Sequence, residues 1–341
     1  MKALFIGGTG TISTEISKLC IAKGWDLTLL NRGNRIIPEL SGAHLLKCDI
    51  SREDDVQKVL AGTSWDVVAD FIAFTPDQAR RDIRLFEGKT RQYFFISSAS
   101  AYQKPVSMPW ITEGTPLHNP FWEYSRNKAE CEKILREAYD MRGFPITVIR
   151  PSHTYCERSV PVSLHGSKGS WQVLERIRQG KRIIIPGDGT TLWTLTHSRD
   201  FAVAFEGLMG NPHALGETFH ITGDESLTWN QIYGCIGAAL DRDIHAVHIP
   251  SETIGRLWPE AIGQLLGDKS NNVLFDNSKI KRAVPEFSTR TLFSRGVREC
   301  IAWLDSHPEA QVPDPEFDRW CDMMIESWDR AEAGFPRFPL Q

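Results

Sequence analysis

Nowhere in the 341-residue chain do about 18 apolar residues run together, so the sequence offers no membrane-spanning helix. Its seven cysteines, Cys20, Cys48, Cys131, Cys156, Cys235, Cys300 and Cys321, stand singly, without a C-x-x-C pair or a histidine cluster beside them. That spacing argues against a disulfide framework and against a structural zinc centre, so no metal is expected. Neither sign of charge prevails: 39 Lys and Arg against 43 Asp and Glu leave a formal −4. No Lys/Arg-rich run supplies what the balance withholds, so neither nucleic acid nor a membrane surface is an expected partner. Internal repeats and low-complexity segments are absent too. The opening Met1-Lys2-Ala3-Leu4-Phe5-Ile6 runs into a glycine loop instead of a signal-peptide cleavage site, which predicts a cytoplasmic protein.

What is present is a rhythm. Strand-like runs at Lys2–Ile6, Asp26–Leu30, His44–Lys47, Trp65–Phe71, Gln92–Ser97 and Ile146–Arg150 alternate with helical stretches at Thr11–Lys23, Asp54–Leu60, Pro76–Phe86 and Ser125–Tyr139. Repeated βαβ units with near-continuously apolar strands predict a Rossmann-type, doubly wound parallel sheet buried on both faces. After Arg150 the alternation breaks, and a smaller mixed α/β C-terminal lobe for substrate is expected. The predicted division is 1–156 for the NAD(P)-binding Rossmann domain, with 196–224 returning to it through a helix near Asp200–Gly207 and a strand near Thr218–Ile221. Segments 157–195 and 225–341 make the lobe and a helical tail. Trp320, Cys321 and Trp328 fall at helical spacing in that tail and read as packing residues.

The first strand is followed by Gly7-Gly8-Thr9-Gly10-Thr11-Ile12-Ser13 and a helix, the context a dinucleotide loop requires. Gly7 permits the tight turn, Gly10 lets the backbone approach a pyrophosphate, and the helix N-terminus favours its charge. Ser13 replaces the usual third Gly or Ala. The second strand ends Asn31-Arg32-Gly33 without the acid that pairs with a free ribose 2′-hydroxyl, and Arg32 could clamp a 2′-phosphate, so NADP is favoured over NAD. Asp49 and Ile50 are placed at the adenine edge, and Phe71, Ile72 and Ala73 beside the ribose.

Tyr124-Ser125-Arg126-Asn127-Lys128 puts a phenol and an ammonium one helical turn apart on one face. A phenol has an ordinary pKa near 10, and a nearby ammonium favours its anion. Tyr124 could then take a hydroxyl proton as hydride leaves, or return it. Lys128 would also hold the nicotinamide ribose. Upstream, Ser97-Ser98-Ala99-Ser100-Ala101-Tyr102 places hydroxyls at the carboxyl edge of the sheet, where Ser98 can stabilise charge on the reacting oxygen.

On these residues, and on Arg150-Pro151-Ser152-His153-Thr154-Tyr155, the chain resembles an extended short-chain dehydrogenase/reductase of the NAD-dependent epimerase/dehydratase branch over roughly residues 1–305. The resemblance implies Ser98, Tyr124 and Lys128 as the catalytic set, with Ser97 as rival hydroxyl and cofactor neighbour. It further implies Pro151 to His153 along the nicotinamide, Arg150 as mainly structural, and a homodimer. Ser98, Ser100, His153, Trp193 and His197 are the expected substrate contacts. His165, Lys168, Trp171, Thr196, Arg199, His118 and Glu113 are softer candidates. Ala99-Ser100 stands where dehydratases of the branch carry Asp-Glu, which disfavours elimination of water. Tyr155-Cys156-Glu157 replaces Tyr-Gly-Pro, which alters the approach to the lobe.

The expected function is therefore epimerase or related sugar or nucleotide-sugar oxidoreductase chemistry on a small polyhydroxyl substrate. An NADPH-dependent ketone reductase is the alternative. A non-catalytic reading also exists, because Asn31-Arg32-Gly33 and Thr196-His197-Ser198-Arg199-Asp200-Phe201-Ala202 resemble the chloroplast stem-loop RNA-binding proteins. A redox-sensing regulator or scaffold on the same fold is the most remote option.

Overall fold

The computed structural model describes residues 1–35 and 37–336. Its centre is a seven-stranded sheet built from β1 (Lys2–Ile6), β2 (Asp26–Asn31), β3 (His44–Lys47), β4 (Val67–Asp70), β5 (Tyr93–Ile96), β6 (Ile146–Pro151) and the strand Thr218–Ile221. Taken across the sheet, the order is Thr218–Ile221, β6, β5, β4, β1, β2, β3, and every pairing is parallel. This is the Rossmann arrangement. Helices α1 (Ser13–Ala22), α2 (Glu53–Val59), α3 (Pro76–Phe86) and α4 (Glu123–Arg142) fall between the first strands.

Alternation along β1 explains the two layers. Ala3 and Phe5 join a core with Ile16 and Cys20 of α1 and with Phe201 and Phe205 of the helix Ser198–Leu208. Leu4 and Ile6 point the other way, into a core with Val56, Ala79, Ile83, Cys131 and Leu135 of α2, α3 and α4. A strand with both faces covered has no polar face to show, which is why β4 and β5 read as unbroken apolar runs. Local signals set the helix ends: Thr75 and Gln78 form a reciprocal cap ahead of Pro76, and α4 stops at Gly143 in the left-handed region.

The chain divides into two compact units. The first contains Met1–Cys156, Thr194–Ser226 and Val273–Thr291; the second contains Glu157–Trp193, Leu227–Asn272 and the residues from Leu292 onward. The segment Val273–Thr291 departs from the expected boundaries, which left all of 225–341 outside the nucleotide-binding part. Polar ties hold it there: Asn277 donates to the carbonyls of Thr222 and Gly223 and accepts from the Thr222 hydroxyl, and Lys281 meets Asp224. Such contacts leave no periodic apolar trace. The remaining shifts are of a few residues: β4 runs Val67–Asp70 instead of Trp65–Phe71, and α4 extends to both sides of Ser125–Tyr139. In the second unit, Ile183–Pro186 pairs with Ala246–Ile249. There the tail helix Pro315–Gly334 is tied through Asp318 and Asp322 to the buried Arg176, at 2.6 and 2.7 Å.

Beneath the strand ends of the first unit lies a buried polar cluster. Arg81 contacts Asp70 at 3.1 Å and Asp82 at 2.7 Å, and the Tyr93 hydroxyl donates to Asp82 at 2.6 Å. Burial raises the pKa of both carboxyls, most strongly that of Asp82, while the Arg81 guanidinium opposes the rise. Removing the one cation would leave two carboxyls facing each other in the core. Arg81→Leu is expected to destabilise the protein by about 3–5 kcal/mol in denaturant titration; a loss below about 1 kcal/mol would show that the cluster is not held by its charge.

Candidate active site

The glycine turn closes on itself before it meets any ligand. Gly7 and Gly8 have φ of +101° and +79°, and the Gly7 amide donates to the Leu30 carbonyl at 3.0 Å. A Cβ on Gly8 would sit 2.6 Å from Leu29 Cδ2. The Gly10 amide donates to Ser13 Oγ at 2.9 Å, and Thr14 Oγ1 and Ser17 Oγ donate to the carbonyls of Gly10 and Gly8. Ser13 therefore does more than fit where Gly or Ala is usual: its hydroxyl ties the turn. Gly10 and Thr11 stay exposed at the positive end of α1, with Ile12 half-buried behind them. An exposed turn of this shape on a helix N-terminus fits a pyrophosphate.

At the end of β2 the Asn31 side chain accepts from the Gly33 amide at 2.8 Å, leaving Arg32 exposed. Arg32, Lys47, Arg52 and Lys58 border a hollow of about 470 Å³, opposed by Asp49 and Asp55. Asp49 accepts from the amide and hydroxyl of Ser51, which lower its pKa, and Ile50 is buried. Arg35, which the sequence reading passed over, donates to the Thr9 carbonyl in the glycine turn at 3.1 Å. Its signal was the repeated arginine of Asn31-Arg32-Gly33-Asn34-Arg35. Ile72 abuts Gly7, 3.4 Å from where a Cβ would stand, whereas the Phe71 ring packs on Phe5 and Phe205.

Lys128 is 2% exposed. Its ammonium donates to the Ala73 carbonyl at 2.7 Å and the Ile96 carbonyl at 2.6 Å, just beyond β4 and at the end of β5. Rings surround it: Phe74 at 4.6 Å, Phe95 at 5.0 Å and Tyr124 at 5.7 Å from their centroids. Tyr124 is half-buried and packs on Trp122, 4.8 Å between centroids. Two of the three ammonium protons are thus committed to backbone, and the geometry holds charge beside a phenol face.

The hydroxyl candidates separate cleanly. Ser97 is buried and donates to Glu132, whereas Ser98 is half-buried and pairs with Ser100 Oγ at 2.9 Å. Ser125, the residue after Tyr124, donates to Ser100 Oγ at 2.7 Å, and Asn119 donates to the Ser100 carbonyl at 2.7 Å. Ser100 accordingly stands behind Ser98, 4% exposed, and not on an open wall as a substrate contact would. Behind Ser97, Glu132 grips Arg150 through both oxygens, at 2.9 and 2.6 Å. Arg150 also donates to the Glu113 carbonyl and lies over the Tyr102 ring, and the Tyr102 hydroxyl meets His220. Glu132 was missed, although Tyr124, Lys128 and Glu132 at i, i+4 and i+8 share one helix face.

Pro151 is buried at the end of β6, and His153 is half-buried in a short strand beside Leu195. Trp193 and His197 are 2% and 1% exposed, so the sequence reading of both as substrate contacts meets core positions instead. Trp193 stacks on Trp229 at 5.3 Å within the second unit; His197 packs on Tyr155 and caps the following helix within the first. Of the softer candidates, Thr196 accepts from the Gly223 amide, Arg199 and Lys168 are exposed, and Trp171 is buried. His165 contacts the Gly166 carbonyl, and burial lowers its pKa. His118 and Glu113 border a cavity on the other side of α4.

A sequence model described as the NAD dependent epimerase/dehydratase family matches residues 3–222, from β1 just past the seventh strand of the sheet. The chain belongs to the NAD-dependent epimerase/dehydratase family. It is 28% identical over 242 residues to the chloroplast stem-loop binding protein of 41 kDa b of Arabidopsis thaliana, covering 67% of this chain and 60% of that one. To the UDP-glucose 4-epimerase of Lactobacillus helveticus it is 28% identical over 170 residues, 44% of this chain and 51% of the relative. In both cases less than two thirds of the relative's length is spanned. The fold is shared with the UDP-glucose 4-epimerase of Thermotoga maritima (TM-score 0.71, 18% identity, 90% of this chain and 100% of that one). It is shared equally with a dTDP-glucose 4,6-dehydratase of Bacillus anthracis solved with NAD (TM-score 0.73, 17% identity, 91% and 98%).

For this epimerase/dehydratase-family chain, the ammonium at the strand ends has a measurable property. Burial lowers the Lys128 pKa to about 8, against partial compensation from neighbouring anionic groups including Asp70 and Glu132. The native state then releases this proton before the unfolded chain does, so Lys128 makes stability rise with pH between about 8 and about 10. Side-chain NMR should find two lysines titrating near pH 8, Lys128 and the likewise buried Lys269, of which only one signal vanishes in Lys128→Met. A Lys128 resonance titrating above pH 10 would overturn this.

Proposed function

We propose that the chain is an NAD(P)-dependent enzyme that moves hydride to or from a carbinol of a sugar-like substrate, with Ser98, Tyr124 and Lys128 as its catalytic residues. The observation that carries the reading is the Lys128 ammonium, seated on the Ala73 and Ile96 carbonyls and 5.7 Å from the Tyr124 ring centroid. A bound nicotinamide dinucleotide would supply the hydride chemistry. The glycine turn, Thr11, Ile12, Asn31, Asp49, Ile50, Phe71, Ile72, Ala73, Ser97, Pro151 and His153 are the residues we assign to holding it.

In this reading the Tyr124 hydroxyl exchanges the proton of the reacting carbinol. Lys128 favours the phenolate by charge, and its third N–H is left for a ribose hydroxyl. Ser98 donates to the carbinol oxygen as negative charge develops there, and its direction is fixed by the hydroxyl chain through Ser100 to Ser125. Ser100 becomes a supporting group. His153 is the expected substrate contact that stays half-buried.

Three relatives bear the name epimerase, and epimerisation needs only this catalytic set with a cofactor kept through the cycle. We therefore prefer a sugar or nucleotide-sugar epimerase over a ketone reductase. Arg32, exposed with Lys47 on a hollow where Asp55 takes Arg52 and Lys58, favours NADP over NAD. A homodimer in the cytoplasm completes the proposal. The Arabidopsis match favours a second reading, a stem-loop-binding protein without catalysis. The Tyr124/Lys128 geometry ranks it second, and gel-shift with a stem-loop RNA tests it.

Mass spectrometry of small molecules released by heat from the purified protein should yield a nicotinamide dinucleotide; tight retention supports the epimerase and rapid exchange the reductase. With a sugar or nucleotide sugar that the wild type turns over, Tyr124→Phe should lower kcat by at least about 100-fold while cofactor affinity, read by nicotinamide fluorescence, stays within about twofold. Wild-type turnover in this variant would end the proton-transfer role. Arg32→Asp should move preference from NADP to NAD by about tenfold or more, as one charge-assisted phosphate contact is lost; an unchanged ratio would remove Arg32 from the cofactor site.

A further inference from the structure

A cavity of about 650 Å³ opens in the first unit along the outer face of α4. Its helical wall is Arg126, Ala129, Glu130, Lys133 and Arg136, at i, i+3, i+4, i+7 and i+10, a different face from that of Tyr124 and Lys128. Its size lies within the range of small-molecule sites.

The charges in it do not cancel. Deep in the wall, Arg150 is neutralised by Glu132, and Glu113 faces the His220 amide. On the rim, Lys133 stands 3.9 Å from Glu130. Arg126 donates to the Pro120 carbonyl and Arg136 lies over the Tyr139 ring, and among the described residues neither has a carboxylate within ion-pair distance. With Arg126, Lys133, Arg136 and Arg150 against Glu113, Glu130 and Glu132, the lining keeps one net positive charge, and the two guanidinium groups that no carboxylate meets are the donor set that suits the planes and charge of phosphate oxygens. The apolar lining is Leu117, Pro120, Ala129 and Val148, with no Phe, Tyr or Trp among the lining residues to stack a base.

We propose that this cavity binds a small phosphate-bearing anion, and that its occupancy is felt at Ser98. Two walls of the cavity reach the catalytic strand end. Glu132 accepts from the Ser97 hydroxyl, and Asn119 donates to the Ser100 carbonyl. These bonds bracket Ser98 from both sides. A phosphate drawn in by the rim arginines competes with Glu132 for Arg150 and shifts the group that holds Ser97. Glu132 is also one of the anionic groups acting on Lys128, so the same displacement changes the field at the proposed ribose contact. This second half rests on the functional reading above, whereas the binding half does not.

The test is calorimetric titration of inorganic pyrophosphate into the full chain saturated with NADPH, so that the glycine turn is already filled; saturation is read by nicotinamide fluorescence. Binding of one equivalent with Kd below about 1 mM is expected, weakened at least tenfold in Arg126→Glu/Arg136→Glu. NADPH affinity of that variant should match wild type, since neither arginine belongs to the cofactor or catalytic set. Absence of heat, or wild-type heat from the double variant, overturns the site. The NADPH Kd should shift severalfold with pyrophosphate in the wild type and not in the variant, because coupling is reciprocal. An equal shift in both proteins marks plain competition at the glycine turn and, like no shift at all, overturns the coupling. If NADPH gives no fluorescence change, it is the nucleotide reading that fails. The difference in heat between wild type and double variant without NADPH then still decides the site.

Discussion

The Lys128 ammonium bridges two carbonyls that a parallel sheet leaves open, those of Ala73 and Ile96. Strand ends in such a sheet carry unsatisfied acceptors, and a buried charge needs donors and acceptors in return. Each need answers the other here. The exchange fixes α4 against the sheet edge at one height, and everything else on that helix is placed by it: Tyr124 one turn before, Ser125 against Ser100, Glu132 one turn beyond against Ser97 and Arg150.

Several polar groups are buried around that bridge in pairs. Asp70 and Asp82 share Arg81, Glu132 takes Arg150 in a bidentate grip, and Tyr102 meets His220. Unpaired, either of the two ionic groups would cost several kcal/mol; paired, they add less stability than apolar packing would and act chiefly as direction. A carboxylate gripped by a guanidinium fork has few orientations open to it. The hydroxyl of Ser97 therefore points one way, and Ser98, its neighbour on the strand end, points the other.

Much of this was readable in the residues, and for identifiable reasons. Strands covered on both faces leave continuous apolar runs, so β1, β2, β4, β5, β6 and the Thr218–Ile221 strand are legible in the residues, while the exposed edge strand β3 shows only through its place in the βαβ rhythm. The glycine turn and the Tyr124/Lys128 spacing were legible because each is local, within one turn of chain. The partners of those groups were not. Choosing between Ser97 and Ser98 requires knowing which face of β5 meets Glu132, and two adjacent serines carry no such mark. Val273–Thr291 joins the first unit through Asn277 and Lys281, long-range polar contacts without periodicity. Trp193 and His197 drew attention as polar-aromatic groups suited to a sugar, but an indole or imidazole packs in a core as readily as it lines a pocket.

Inheritance along the chain is uneven, and the unevenness bears on specificity. The family match ends at residue 222, one residue past the seventh strand, and thus takes in the glycine turn, the strand ends and α4. Most of the second unit lies outside it. At the first crossing into that unit, Cys156 and Glu157 stand where the related pattern has a glycine and a proline, and Cys156 is buried, so a thiol is packed at a position usually reserved for a turn. A substitution that fills space with a side chain constrains the path of the segment that follows. The glycine turn, the strand ends and α4 are the part the family model covers, while most of the second unit lies outside it, so the substrate has to be established on the protein itself.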